Sequence, residues 1–138
     1  MEKIITLATK FYWDETVAAK EINLLQPQII QEKIPAFAAV LAGRHAPLDW
    51  KEQLQHTQSL LLKLGKKNVL TLNDYNEITA PCLLMLGDRD KMVTLMETVD
   101  VFTQLPYGSM AVLPETSHPI EKADLALLKV YIDRFLKG

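Results

Sequence analysis

Two short polar segments of the chain hold the residues that could do chemistry. Residues 87–90 read Gly-Asp-Arg-Asp and residues 115–119 read Glu-Thr-Ser-His-Pro, and each segment follows an apolar run. An aspartate that accepts a hydrogen bond from one imidazole nitrogen fixes the histidine tautomer and leaves the other nitrogen free to act as a base. Asp90 and His118 are therefore the candidate acid and base of a catalytic relay.

Each of these assignments has a simpler alternative. A lone aspartate after a strand often caps the next helix, which is the alternative for Asp90. Asp88 is a second candidate acid, and its alternative role is to form the turn. His118 alone could be a turn residue before Pro119. The presence of an aspartate and a histidine after two successive apolar runs favours the relay.

Three apolar runs are positioned to carry these segments. Residues 3–8, 81–86 and 109–113 have the length and apolar character of strands buried on both faces. Helical patterns separate them, which predicts a parallel sheet with helices on its faces. Neighbouring parallel strands lie about 4.8 Å apart, so loops at their carboxyl ends can bring Asp90 and His118 into contact.

The region from residue 14 to residue 72 has a helical pattern. Asp14 or Thr16 is placed to cap its first helix, and Pro35 is expected to interrupt the next one. Asp49 is placed to cap a longer helix, which we expect Gly65 to end in a left-handed conformation. An apolar stripe at spacings of three and four residues runs along that helix: Trp50, Leu54, Thr57, Leu61 and Leu64.

Composition excludes several classes of protein. The 138 residues are 49% hydrophobic and 23% charged, as in one soluble globular domain, and a net charge of -2 without a long basic run argues against nucleic-acid binding. No apolar stretch approaches the roughly 20 residues of a membrane-spanning helix, and because the first apolar run is short and β-branched we expect no signal peptide. The single cysteine cannot form an internal disulfide or a multi-cysteine metal site. We expect a cytoplasmic protein without a metal or cofactor.

The two chemical segments and their strands resemble a known family. Residues 78–90, ITAPCLLMLGDRD, and residues 112–119, VLPETSHP, are similar to the last two strands and site loops of the α/β-hydrolases. In that family the acid is the aspartate three residues after the glycine, which corresponds to Asp90, and the histidine follows the last strand, which corresponds to His118. Residues 3–10 look like the strand before the family's cap insertion.

The resemblance implies a fold class and a domain organisation. We expect a partial α/β-hydrolase fold with about three parallel strands, a helical cap insertion and flanking helices. Residues 1–138 would form a single domain in which residues 14–72 are the cap-like insertion.

The nucleophile of the family is not recognisable in the chain. It lies in a G-x-S-x-G turn upstream of the acid and the histidine. None of the three serines, Ser59, Ser109 and Ser117, has small residues two positions before and after it. Cys82 lies within a predicted buried strand, where a thiol packs as a small apolar group.

The resemblance therefore implies the C-terminal part of a serine-type, esterase-like acyl hydrolase, with Asp90 orienting His118. The expected partners are a small-molecule acyl substrate once the site is completed, a missing N-terminal half, or a second copy. Self-association would cover the edge of the first strand, which the sequence leaves without its family neighbour. Two alternatives stay open, namely a catalytically silent binding module and one half of a split enzyme completed by another chain.

Overall fold

A computed structural model describes residues 2–138, apart from the side chain of Ile120. The chain forms two compact units, one made of Met1–Tyr12 with Leu70–Gly138 and the other of Trp13–Val69. The first contains a sheet and the second is helical. The helical unit covers nearly the same residues as the predicted insertion; its assignment as a cap, and that of the whole chain to one domain, stay predictions.

Within the described part of the chain, the sheet has three parallel strands in the order β1-β2-β3, as predicted. Strand β1 covers Ile4–Leu7, β2 covers Cys82–Gly87 and β3 covers Gly108–Leu113. The register places Gly87 beside Leu113, so β2 and β3 end at the same level. Two helices, numbered in chain order, belong to the same unit as the sheet. They are α5, Leu95–Gln104, and α6, Leu125–Lys137. Two short 3₁₀ turns cover Leu72–Glu77 and Ile120–Lys122.

The side chains of β2 form the centre of two apolar clusters. Successive side chains of a strand point to opposite faces of the sheet, so Leu84 and Leu83 belong to different clusters. Leu84 packs with Val101 of α5, whereas Leu83 is in the cluster that contains Leu128 of α6. Every residue of β2 is buried. This double coverage explains why the sequence of β2 is continuously apolar.

Strand β1 is less buried than the sequence predicts. Its first residue, Ile4, is 41% exposed, and the other three residues are only partly buried. Within residues 2–138, β1 pairs with β2 and with no other strand. A strand at the edge of a sheet has a neighbour on one side only, so its side chains are less covered. The sequence of β1 is therefore more apolar than its partial burial in this chain explains.

The helical unit consists of α1, Glu15–Leu24; α2, Pro27–Lys33; α3, Pro35–His45; and α4, Trp50–Lys66. Its predicted caps and the predicted interruption at Pro35 are confirmed. The Asp14 carboxylate caps α1 by accepting from the Val17 amide at 2.7 Å, and the Asp49 carboxylate caps α4. The helix is interrupted between α2 and α3, and Pro35 is the first residue of α3. Of the predicted stripe, Trp50, Leu54 and Leu61 are buried and Leu64 is partly buried, whereas Thr57 is exposed.

The prediction for Gly65 is wrong. Helix α4 continues to Lys66, and no glycine among residues 2–138 has a positive φ. A Cβ atom on Gly65 would lie 2.6 Å from the Cβ of Ala18 in α1. Gly65 is therefore needed for the close approach of two helices, and the helix ends one residue later without a left-handed cap.

Candidate active site

The structure brings the predicted acid and base together. Asp90 lies three residues after the end of β2, and His118 lies five residues after the end of β3. The Nδ1 atom of His118 is 2.9 Å from Oδ2 of Asp90. The side chain of Asp90 is 1% exposed, whereas that of His118 is 35% exposed. The carboxylate is thus buried behind an imidazole that remains open to solvent.

The second oxygen of Asp90 is held by the backbone. Oδ1 accepts hydrogen bonds from the amides of Met92 and Val93, both at 2.8 Å. Burial by itself would raise the pKa of Asp90, but the hydrogen bonds from the Val93 amide, His118 and the Met92 amide outweigh it, and the pKa lies below its ordinary value. Asp90 is therefore ionised at neutral pH. An ionised carboxylate only accepts hydrogen bonds, so Nδ1 of His118 must carry the hydrogen.

The alternative role of Asp90 as a helix cap goes to another residue. The hydroxyl of Thr94 accepts from the Glu97 amide at 3.1 Å, and the Glu97 carboxylate accepts from the Thr94 amide at 3.1 Å. These two contacts form a capping box at the start of α5. The pattern Thr94-x-x-Glu97 is a local sequence signal that is typical of such a capping box.

Asp88 joins the two site loops. Its backbone amide donates to the carbonyl of Leu113 at 3.0 Å, and its carboxylate accepts from the amide of Thr116 at 3.2 Å. The next amide, that of Arg89, donates to the carbonyl of Thr116 at 3.1 Å. Asp88 therefore fixes the loop that carries His118, while Asp90 contacts the imidazole itself.

Gly87 and Thr116 make the closest contact between these loops. A Cβ atom on Gly87 would lie 2.1 Å from the carbonyl oxygen of Thr116, so only glycine fits there. Thr116 is 6% exposed, and its hydroxyl donates to the carbonyl of Pro114 at 2.9 Å. Sequence reasoning did not identify Thr116, because its role depends on a neighbouring strand rather than on a local motif.

Two residues that follow strands adopt left-handed backbone conformations. Ala8, after β1, has φ 51° and Glu115, after β3, has φ 52°. Such conformations are strained for residues other than glycine and concentrate at functional sites. Glu115 also accepts from Nη2 of Arg89 at 2.8 Å, but both side chains are exposed and such pairs contribute little to stability. The backbone at the ends of the strands is thus held in a strained form.

The other cysteine, serine and histidine side chains, apart from Ser117 next to His118, lie outside the two site loops, residues 87–90 and 115–119. Cys82 is 2% exposed and burial raises the pKa of its thiol, so it is protonated and packed. Ser109 lies near the start of β3, at the opposite end from His118. The hydroxyl of Ser59 donates to the Gln55 carbonyl within α4. His45 and His56 belong to the helical unit.

Residues 2–138 contain no group of three His, Cys, Asp or Glu side chains that could hold a metal ion. In the same range, no helix combines the length and the apolar character that crossing a membrane requires.

The fold is that of the α/β-hydrolases. The chain matches no protein-family model and no curated protein, but solved structures share its fold. A hydrolase from Pseudomonas aeruginosa superposes with a TM-score of 0.63 at 13% identity, over 99% of this chain and 56% of that one. A 2-hydroxy-6-oxo-6-phenylhexa-2,4-dienoate hydrolase from Rhodococcus sp. gives 0.62 at 12% identity, over 99% and 56%.

A thermophilic esterase from Thermogutta terrifontis gives a TM-score of 0.59 at 16% identity, over 96% of this chain and 54% of that one. The chain thus spans about half the length of the hydrolases whose fold it shares. This confirms the predicted fold class, a partial α/β-hydrolase fold with a parallel sheet and helices.

Proposed function

We propose that the chain supplies the acid and the base of a serine-type, esterase-like acyl hydrolase. The observation that carries this proposal is the contact of 2.9 Å between Nδ1 of His118 and the buried, ionised Oδ2 of Asp90. The contact lies at the carboxyl ends of two adjacent parallel strands, where open α/β sheets place their sites. The names of the structural neighbours, which include hydrolases and an esterase, agree with this class.

In the proposed reaction, Asp90 fixes the hydrogen on Nδ1 of His118 and leaves Nε2 free. Nε2 takes the proton of the serine hydroxyl while the serine oxygen attacks the acyl carbonyl carbon. The carboxylate of Asp90 stabilises the imidazolium that results. His118 then gives the proton to the leaving alcohol, and a water molecule activated by the same nitrogen releases the acid.

The serine of this reaction comes from outside the 138 residues. No serine among them lies in a G-x-S-x-G turn, and the chain spans about half of its structural neighbours. We propose a small-molecule acyl substrate, a cytoplasmic location, and a cap role for the helical unit. The reaction requires neither a metal nor a cofactor, because side chains supply the base, the acid and the nucleophile.

The tautomer of His118 tests the geometry directly. In two-dimensional ¹H–¹⁵N spectra of the neutral imidazole, the hydrogen should be on Nδ1. In Asp90→Asn the amide oxygen can keep the contacts with Met92 and Val93, so its NH₂ group faces Nδ1 and the hydrogen should move to Nε2. A wild-type chain with the hydrogen on Nε2 would contradict the proposal.

A fluorophosphonate probe tests the origin of the nucleophile. The isolated chain should not be labelled, whereas a longer polypeptide that adds an upstream G-x-S-x-G segment should be labelled at that serine. Labelling of the extended chain should drop strongly in His118→Ala. Labelling of the 138-residue chain alone would overturn our interpretation of its serines. Labelling only after mixing with a separate upstream polypeptide would support a split enzyme, and none in any form would support a silent binding module.

A further inference from the structure

A partly buried ion pair lies next to the loop that carries Asp90. Lys10 follows β1, and Glu97 is in the first turn of α5. Nζ of Lys10 is 3.2 Å from Oε2 of Glu97, and the two side chains are 10% and 9% exposed. Removing two charges from water is unfavourable unless hydrogen bonds satisfy both groups. Both side chains make such hydrogen bonds to nearby backbone groups, and these bonds show which segments the pair connects.

Lys10 contacts the peptide that binds the acid. Its Nζ donates to the carbonyl of Met92 at 3.0 Å. The amide of that same residue donates to Oδ1 of Asp90 at 2.8 Å. Met92 is thus bound on one side by the ammonium group and on the other by the carboxylate, so the position of one constrains the position of the other.

Glu97 fixes both ends of this arrangement. Its Oε2 accepts from the Thr94 amide at 3.1 Å, directly after the two amides that hold Asp90. Its Oε1 accepts from the Phe11 amide at 3.1 Å, directly after Lys10. Burial by itself would raise the pKa of Glu97. The hydrogen bonds from the Thr94 amide and Lys10 outweigh that effect, so the pKa lies below its ordinary value and the carboxylate is ionised. The loop between Asp90 and α5 is consequently tied to the segment after β1.

We propose that Lys10 and Glu97 are positioning residues of the relay, which hold the Met92 and Val93 amides against Oδ1 of Asp90 and so aim Oδ2 at His118. This inference rests on the proposed function. A carboxylate bound through one oxygen to two backbone amides turns only when those amides move. Lys10 and Glu97 restrict that movement without touching the imidazole.

The test uses Lys10→Met, which keeps an apolar stem and removes the donor to the Met92 carbonyl. Asp90 should then titrate closer to its ordinary pKa in carboxyl ¹³C spectra, and the share of His118 with its hydrogen on Nδ1 should fall. Lys10→Arg, which retains the charge and the donors, should restore both signals. Lys129→Met is the matched control, because it removes the lysine of an exposed ion pair with Asp133 on α6.

A second comparison separates positioning from general loss of stability. Ile132→Ala weakens the packing of α6 and leaves the Asp90 loop untouched. It should lower the unfolding midpoint without changing the titration of Asp90. If it changes that titration as much as Lys10→Met does, the pair has only a structural role. If Lys10→Met does not fold, Glu97→Gln replaces it, because glutamine retains the capping box but loses the ion pair.

The outcomes distinguish the two proposals. An unchanged Asp90 titration and an unchanged His118 tautomer in folded Lys10→Met or Glu97→Gln would overturn the positioning role and leave the proposed function intact. A wild-type chain whose His118 does not carry its hydrogen on Nδ1 would overturn the proposed function itself. Changes in both signals that Lys10→Arg reverses would support the positioning role.

Discussion

The contact between Gly87 and Thr116 gives the sharpest prediction about the site, and Gly87→Ala is the change that tests it. The added Cβ would lie 2.1 Å from the carbonyl oxygen of Thr116 and 2.7 Å from its carbonyl carbon. Both of these atoms are backbone, so no rotation of a side chain relieves the clash. The Thr116 oxygen must retreat by about 1.3 Å to reach the 3.4 Å of an ordinary contact.

That displacement has a calculable cost. It breaks or stretches the bond from the Arg89 amide to the Thr116 carbonyl, at 3.1 Å, and the bond from the Thr116 amide to Asp88, at 3.2 Å. Overpacking costs about 1–3 kcal/mol, and each lost hydrogen bond costs about 0.5–1.5 kcal/mol. Gly87→Ala should therefore lower the free energy of unfolding by about 2–6 kcal/mol, and it should disturb the contact of His118 with Asp90 because His118 is two residues from Thr116.

Urea unfolding followed by circular dichroism measures the loss of stability, and the ¹H–¹⁵N spectrum of His118 measures the loss of the contact. Gly43→Ala is the matched control, since a Cβ on that helical glycine meets nothing within 4 Å. It should raise stability by about 0.5–1 kcal/mol, because alanine favours a helix over glycine. A Gly87→Ala chain within about 0.5 kcal/mol of wild type would refute the packing argument.

Three further predictions concern strain, acid stability and the thiol. Ala8→Gly should raise stability by about 0.5–1 kcal/mol in the same urea assay, because φ 51° is strained for alanine, and a loss of stability would contradict this. Because the folded pKa of Asp90 lies below the unfolded value of about 3.9, its contribution to stability is fully present above that value and is lost as the pH falls through the folded pKa. Asp90→Asn should therefore lose less of its urea midpoint than wild type as the pH falls below about 4. An equal decrease in the two chains would refute the lowered pKa of Asp90 in the folded state. Cys82, buried in β2, should react with a thiol reagent slowly in the native chain and rapidly in urea; a fast native reaction would contradict its burial.

Local interactions were predictable from the sequence because they join residues only a few positions apart. Asp14 and Asp49 cap helices through amides two or three residues later, and Pro35 starts a helix because it has no amide hydrogen to contribute. The conformation of Gly65 was not predictable from the same kind of rule. Its environment is set by Ala18, which lies on another helix and far away in the sequence.

The candidate site was predictable only in part. The placement of Asp90 and His118 follows from two apolar runs that end in polar residues, since the carboxyl ends of parallel strands share one edge of the sheet. The contacts that hold these residues are not local. Lys10 and Glu97 are 87 residues apart, and Thr116 meets Asp88 across 28 residues.

The sequence by itself determined the class of fold and indicated Asp90 and His118 as the candidate acid and base, because hydrophobic periodicity and the order of polar segments are properties of the chain. Only the tertiary structure decided how that pair is held. The register that sets Gly87 beside Leu113 brings both loops to one level. Register depends on which side chains of neighbouring strands are buried together. It places Thr116 against Gly87, and it places the loop that carries Asp90 beside Lys10. The physical reason is that these contacts join segments far apart in the chain, so no short stretch of sequence contains both partners.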